Sequence, residues 1–428
     1  MKTILYPEEA QWDVLCARPK ADVQALEAIC REIFEDIRQN GDAALGKYTE
    51  RFDKAALKNF AVSPEEFDRA EQAVPRELKE AIKAAKENIE AFHRLQIPQE
   101  HRWENPAGFV CRQAARPIER VGIYVPGGSA PLFSTVLMLA VPAAIAGCRE
   151  VVMCTPPSPD GQVNPVVLWT ARLCGVTRVF KAGGIQAISA MTFGTETIPA
   201  VYKIFGPGNG YVMAAKQLAQ RYGVAIDMPA GPSEVLVVAD GSARADFVAA
   251  DLLSQAEHGP DSQVLLLTDR KDFPQAVEAE IEKQLAALPR KGIAEKALEN
   301  SRIIVMEDID RCMAFSNRYA PEHLILCVRD YGKRAEEVTN AGSVFLGSYS
   351  PESAGDYASG TNHTLPTSAY ARAYSGVNVD AFVKKITYQE ISAEGLKTLG
   401  PVIETMAGAE QLAAHKNAVS VRLKALEK

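Results

Sequence analysis

The chain has 428 residues, 47% of them hydrophobic and 24% charged, and a formal net charge of −7. This length supports two or three domains with real cores, and this composition excludes an intrinsically disordered chain. The acidic balance argues against nucleic acid or an anionic membrane as a main partner, because both select a basic face.

Residues 1–22 are polar, contain Pro7 and Pro19, and read as an arm. They hold no long apolar region, so no secretory signal is expected and the expected location is the cytoplasm. The apolar spacing of Val23, Leu26, Cys30, Ile33 and Ile37 predicts an amphipathic helix over 23–39. Ser63 followed by Pro64 has the pattern of an N-cap and first helical residue. A long charged helix is expected over 75–96, apolar at Leu78, Ile82, Ala85, Ile89 and Phe92. His93 and His101, in that helix and at its exit, are expected at the surface. Residues 109–113 alternate and predict a strand. The apolar run 136–146 is too short to span a bilayer and contains Pro142. The eight cysteines are scattered with no Cys-x-x-Cys, which predicts reduced core thiols.

From Arg120 the texture changes. Strands over 121–125, 150–154, near 179, 201–205 and 224–226 alternate with helices over 134–146, 163–173, 185–193 and 210–221. This is the βαβ pattern of a parallel sheet, which binds ligands beyond the carboxyl ends of its strands. Glycine-rich segments fall at those ends: 126–131, 182–186 and 206–210. Glycine lets backbone approach a pyrophosphate, and a helix N-terminus favours the anion. Each segment alone reads equally as a tight turn, and Gly206-x-Gly208-x-Gly210 is not the usual dinucleotide fingerprint. Three in one βαβ region suggest a nucleotide site. No P-loop sequence is present.

A second α/β region begins at Ala230, with a strand over 234–240, a helix over 247–256 and a strand over 264–267. Helices to 299, a strand over 303–305 and a helix over 309–319 follow. Gly259-Pro260 must end the first of these helices. Gln255 and His258 then lie three apart on one face of the last turn, where an amide oxygen and an imidazole can hold a divalent cation. An ordinary helical histidine is the other reading. Glu322 and His323 follow Pro321 as an adjacent acid/base pair suited to proton transfer near neutral pH, or simply as a surface pair. Residues 340–347 read as strand and turn. Residues 351–366 read as a long structureless loop, a feature that tends to be functional. Asp356 and His363 on it are candidate ligands or catalytic groups. Residues 392–428 read as two helices. Glu410 and His415 are both placed on the second, about 140° apart, and His415 facing solvent is the alternative.

The segments 230–235, 251–263, 320–324, 341–347 and 351–366 together resemble the histidinol dehydrogenases, in the family's order and over nearly the whole chain. The fold expected is α/β: two Rossmann-like, aldehyde-dehydrogenase-like domains with a helical N-terminal arm and a helical C-terminal tail. The expected division is an arm (1–22), a first α/β domain (23–123 with 235–378) carrying the metal and catalytic loops, a second (124–234) carrying the NAD loops, and a tail (379–428) reaching a partner subunit. The resemblance implies zinc-dependent oxidation of L-histidinol to L-histidine through L-histidinaldehyde. That reaction consumes two NAD and is the last step of histidine biosynthesis. It implies one zinc per subunit on Gln255, His258, Asp356 and His415, and an acid/base pair of Glu322 and His323. Substrate contacts fall on Ser233, Gln255, His258, His323, Asp356, Glu410 and His415, and NAD contacts on Tyr124, Gln186 and Asn209. It further implies a homodimer in which Glu410 and His415 complete the partner's site. Two imidazoles with amide and carboxylate oxygens suit an open zinc site, and manganese or cobalt also fits such donors.

Three other chemistries are considered. A thiohemiacetal route would use Cys111, Cys148, Cys154 or Cys174. Cys148 and Cys154 read as buried, and none of the four has a nearby His or Lys in sequence to lower its pKa. A related zinc/NAD dehydrogenase could act on another small alcohol. A zinc hydrolase could use Glu322 to activate water without NAD, and the three glycine-rich segments argue against it.

Overall fold

Near-continuous apolar runs form the central strands of two parallel sheets. The computed structural model describes residues 1–19, 23–127, 131–176 and 178–427. Residues 128–130 of the first glycine-rich segment therefore lie outside the described residues. In chain order the strands are β1 (Lys2–Leu5), β2 (His101–Asn105), β3 (Phe109–Pro117), β4 (Arg120–Tyr124), β5 (Glu150–Thr155), β6 (Arg178–Lys181) and β7 (Lys203–Phe205). They continue with β8 (Ala225–Ile226), β9 (Glu234–Ala239), β10 (Gln263–Thr268), β11 (Arg302–Val305), β12 (His323–Cys327), β13 (Ser343–Leu346) and β14 (Val383–Ile391).

Two compact units result: Met1–Gln96 with Ile118–Phe382, and Ile97–Pro117 with Val383–Lys428. The first holds two parallel sheets. One has six strands in the order β1-β11-β10-β9-β12-β13, the other five in the order β6-β5-β4-β7-β8. Every residue of β9 and β10 is buried, as expected of parallel strands covered by helices on both faces. In each sheet the strand order reverses once, at β9/β12 and at β4/β7.

Local signals place the ends of these elements. Ser63 accepts from Glu66 N, and Glu66 Oε2 accepts from Ser63 N at 2.9 Å, so the helix Pro64–Ala73 opens with a reciprocal cap. The helix Ile309–Tyr319 opens at Asp308, whose Oδ1 accepts from Arg311 N at 2.8 Å, and closes at Ala320 with a left-handed φ of 54°. That reversal brings Glu322 and His323 to the amino end of β12. The helix Ala245–Ala256 runs back from the carboxyl end of β9, so its last turn returns to the amino end of the same sheet.

The loop after β7 is fixed by a buried ion pair. Lys216 Nζ lies 2.5 Å from Asp227 Oδ1 and donates to Gly206 O at 2.7 Å, and Gly206 N donates to Asp227 Oδ2 at 2.8 Å. Gly206 has φ 138°, and a Cβ there would collide with Tyr124 O.

The second unit is a three-stranded antiparallel sheet, β14-β3-β2, with the helices Ala393–Ala409 and Ala413–Leu426. Ser392 Oγ caps the first helix, accepting from Gly395 N at 3.0 Å. None of the described helices is long and apolar enough to cross a membrane.

Several expectations are corrected. The N-terminal arm contains β1, an edge strand parallel to β11, and a buried Trp12. Its Thr3 and Ile4 supply a strand edge that polar composition concealed. Residues 97–117, assigned to the first α/β domain, belong to the second unit, because β3 pairs with β14 along its whole length. His93 is fully buried, with Nδ1 2.8 Å from Ile89 O, so it is no surface residue. Residues 351–366 are not structureless, since Glu352–Tyr357 form a short helix. His258 lies in the turn past Ala256, its N–H bonded to Gln255 O at 3.2 Å. Glu410 caps the C-terminus of the first tail helix, so only His415 stands on the second. Of the four cysteines singled out, Cys154 and Cys174 are buried, Cys148 is half-buried and Cys111 is exposed.

Replacing Lys216 with Met leaves Asp227 buried and unpaired beneath the Gly206 loop. The expected loss is about 3–5 kcal/mol of stability, read by urea denaturation, with much of it recovered in K216M/D227L. Unchanged stability in K216M would show that the pair does not hold this loop.

Candidate active site

Glu322 and His323 are both almost fully buried at the amino edge of the six-stranded sheet. One residue on the neighbouring strand holds both. Glu234, the first residue of β9, donates its N–H to Glu322 Oε2 at 2.8 Å, and its carbonyl oxygen is 3.1 Å from His323 Nδ1. A carbonyl can only accept, so Nδ1 carries the proton and Nε2 is the basic nitrogen. Nε2 is buried without a hydrogen-bond partner, 3.5 Å from Asp356 Oδ1. The ring lies over Phe345 with centroids 6.0 Å apart. Gly342 passes so close that a Cβ would stand 2.6 Å from Glu322 O, which accounts for a glycine there.

Burial pushes the Glu322 carboxyl up from its ordinary value, against the pull of His323. Burial pulls His323 down, but the carboxylates of Glu322, Asp356 and Glu352 outweigh it and leave the imidazole well above its ordinary value. Both groups are thus held above their ordinary values in one shared buried site.

A ligand cluster adjoins the pair. The donor atoms of His258, Glu352 and Asp356 lie within 4.8 Å of one another. Gln255 Nε2 is 3.3 Å from His323 Nδ1, while Gln255 Oε1 is buried with no partner. An orphaned buried amide oxygen costs about 1–3 kcal/mol, and a cation at this point would satisfy it together with the imidazole and the carboxylates. The residues present therefore fit a divalent metal, with nitrogen and oxygen donors of the kind zinc accepts. Burial raises the Asp356 carboxyl, but His323, His363 and His258 outweigh it and hold it below the ordinary value.

Gln255, His258, Asp356, Glu322 and His323 are thus brought together. Ser233 precedes Glu234 and is half-buried, with its carbonyl accepting from Gln263 N at 3.1 Å. His363 braces rather than joins the cluster: Nδ1 lies 2.9 Å from Asp356 O and Nε2 3.4 Å from Thr135 Oγ1. Glu410 and His415 belong to the second unit, where both are exposed.

Glu352 was missed by sequence reading. It is 1% exposed, its Oε2 has no partner, and burial pushes its carboxyl up to about 8. The signal was available: Glu352 is one helical turn before Asp356, but reading 351–366 as a loop discarded the spacing.

At the carboxyl edge of the five-stranded sheet lies a cleft of about 950 Å³ lined by Tyr124, Gln186, Asn209, Asp53, Thr155 and Pro156 among others. The helices Gly184–Phe193 and Gly210–Arg221 begin there, offering positive N-termini. Tyr124 Oη accepts from Gly184 N at 3.0 Å, and Asn209 Oδ1 caps the second helix, 3.1 Å from Tyr211 N and Val212 N. Gln186 donates from Nε2 to Asp53 Oδ2 at 3.1 Å and keeps a buried Oε1 without a partner. Burial pushes Asp53 up to about 6. Asp53 also went unnoticed in the sequence, where a single Asp at the end of a helix carries no signal. The size, the helix N-termini and the orphaned amide oxygen fit a dinucleotide.

The cysteine route finds no support. Cys154 packs among Val152, Phe180 and Ala182, and burial raises its thiol far above its ordinary value. Burial also pushes Cys174 up to about 12 and Cys148 up to about 11. None of the three is a ready thiolate.

Residues 16–423 match the sequence profile of histidinol dehydrogenase. The chain is 56% identical over 427 residues to a histidinol dehydrogenase of Bacteroides thetaiotaomicron, covering 100% of both chains. It is 52% identical over 410 residues to that of Escherichia coli, covering 95% of this chain and 94% of the other. A crystal structure of histidinol dehydrogenase from Elizabethkingia anophelis superposes with a TM-score of 0.97 at 56% identity, over 100% of this chain and 99% of that one. A putative aldehyde dehydrogenase from Burkholderia cenocepacia shares the fold alone, with a TM-score of 0.50 and 13% identity over 89% of this chain and 88% of that one. The parallel sheets, the buried acid/base pair and these full-length similarities agree: the chain belongs to the histidinol dehydrogenase family, the enzymes that oxidise histidinol in histidine biosynthesis.

Proposed function

We propose that this chain carries out the whole four-electron oxidation of L-histidinol to L-histidine through L-histidinaldehyde, with one zinc per subunit and two NAD. The observation that carries the reading is the meeting of a buried Glu322–His323 pair with Gln255, His258 and Asp356, while Tyr124, Gln186 and Asn209 line one dinucleotide-sized cleft. In this reading Gln255, His258, Asp356 and the partner's His415 hold zinc. Ser233, Gln255, His258, His323, Asp356 and the partner's Glu410 and His415 contact histidinol. When bound, NAD accepts a hydride in each oxidation, and zinc orients the substrate and stabilises developing charge.

The chain's own residues then move the protons. His323 Nε2 takes the hydroxyl proton as the alcohol carbon loses hydride, which leaves the aldehyde. Glu322, with Oε2 fixed by Glu234 N, takes a proton from water as the water adds to the aldehyde carbonyl, and His323 returns its proton to the carbonyl oxygen, which leaves the neutral hydrate and a free imidazole. His323 then takes a hydroxyl proton from the resulting hydrate as the second hydride leaves, which yields the carboxylic acid. Burial of both groups excludes stray water and raises the basicity of Glu322.

The dimer reading rests on the second unit. The helix Ala413–Leu426 has no buried residue and leaves Val421 about half exposed, and Val402 and Met406 on the neighbouring helix Ala393–Ala409 are likewise exposed. A helix with apolar side chains and no buried face calls for a partner surface. A cytoplasmic homodimer with shared sites accounts for Glu410 and His415.

Chelated protein should form no NADH from histidinol, and zinc should restore two NADH per histidinol. One NADH per histidinol would overturn the four-electron reading. Glu322→Gln should slow aldehyde oxidation about 100-fold or more while slowing alcohol oxidation far less. Equal losses in the two half-reactions would remove Glu322 from the water step. Mixing E322Q with H415A, neither of which should form histidine at an appreciable rate, and allowing subunit exchange should restore about a quarter of the wild-type rate of histidine formation, because half the dimers would be hybrids with one intact site each. No restoration would mean that the tail does not serve its partner.

A further inference from the structure

We propose that the ion pair between Arg18 and Glu234 is a positioning clamp for the Glu322–His323 pair, an inference that rests on the catalytic roles just proposed for those two residues. Arg18 touches neither of them. It grips Glu234 as a two-pronged fork, with Nε 3.0 Å from Oε1 and Nη2 3.0 Å from Oε2. The Glu234 side chain is 2% exposed and that of Arg18 14%. Ser368 N donates to Glu234 Oε1 at 2.9 Å, so the carboxylate is held from two sides.

What makes this pair more than structural is where Glu234 stands. It is the first residue of β9, where a strand frays most easily. Its peptide N–H and carbonyl are the groups that hold Glu322 Oε2 and His323 Nδ1. A rotation of this one residue would release the carboxylate and free the imidazole to turn or change tautomer. Holding its side chain suppresses that rotation.

The same guanidinium also grips the chain that leads into the pair. Nη2 donates to Tyr319 O at 2.8 Å, and the guanidinium lies 3.7 Å above the Tyr319 ring. Tyr319 is the last residue of its helix, followed by the left-handed Ala320 and then Pro321, Glu322 and His323. One planar cation therefore ties the residue that holds the catalytic groups to the segment that delivers them. Lysine offers a point charge and no fork, so it could not make these contacts together.

The test uses R18A, R18K and E234Q in the zinc-loaded, full-length enzyme. Turnover, KM for histidinol, bound zinc, the thermal midpoint and rescue by millimolar guanidinium are read for each. The clamp predicts a fall in kcat on the order of tenfold or more, with KM and zinc content within about twofold of wild type. It predicts partial rescue of R18A, and none of E234Q, by added guanidinium. R18K should lie between R18A and wild type, and with E234Q it carries the test if R18A does not fold. A lowered thermal midpoint with kcat within about twofold of wild type in every folded variant would make the pair merely structural and overturn the clamp. E322Q and H323N are measured in parallel. If they lose turnover while the Arg18 and Glu234 variants keep it, the clamp is wrong and the catalytic reading stands. If E322Q and H323N turn over normally, the catalytic reading fails and the clamp fails with it.

Discussion

A carboxylic acid and an imidazole buried side by side are tolerable only when each has a fixed partner. Here the partners are the two ends of one residue's backbone, the N–H and the carbonyl of Glu234. The choice has consequences for the rest of the first unit. β9 must begin where it does, β12 must pair with it in the register that sets His323 beside Val235, and Gly342 must lack a side chain to let β13 approach. Because Nδ1 is committed to a carbonyl, the free nitrogen faces the ligand cluster. Tautomer, direction and access therefore follow from a single pair of hydrogen bonds.

The two parallel sheets use opposite edges. The five-stranded sheet presents the carboxyl ends of β4, β5, β6 and β7 to the cleft, as open α/β sheets usually do. The six-stranded sheet builds its site at the amino ends of β9 and β12 instead. The helix Ala245–Ala256 makes that edge usable, because it returns from the far end of β9 and ends with Gln255 buried beside His323. His258, just past the helix end and closer to solvent, completes that side.

Much of this was legible in sequence, for stated reasons. The parallel strands announce themselves as buried apolar runs, and the glycine segments mark the turns that open the cleft. Glu322, His323, Gln255 and His258 were visible as pairs, because their partners are near in sequence. What brings those pairs together is the strand order, which periodicity does not encode. Glu234 was read only as the first residue of a strand, because its role is played by its backbone. Glu352 was hidden by a short helix that Gly355 and Ser353 disguised as loop. His93 looked like a surface histidine in a charged helix, and its burial depends on Ile89 O and on Asn362, 269 residues away.

The second unit shows the limit of single-chain reasoning from the opposite side. β3 and β14 pair over nine residues although 265 residues separate Pro117 from Val383, and no local pattern in either segment points to the other. Such a long closure carries an entropy cost that grows only slowly with length, so a continuous ladder suffices to offset it. The two tail helices pack on each other, with Gly400 directly against Leu423, which leaves the opposite face of Ala413–Leu426 open. In the proposed dimer the exposed His415 on the second tail helix would reach the partner, while Glu410 would sit in the link where Gln411, with φ 59°, turns the chain. In that proposed dimer the short link would also set the separation of the two side chains.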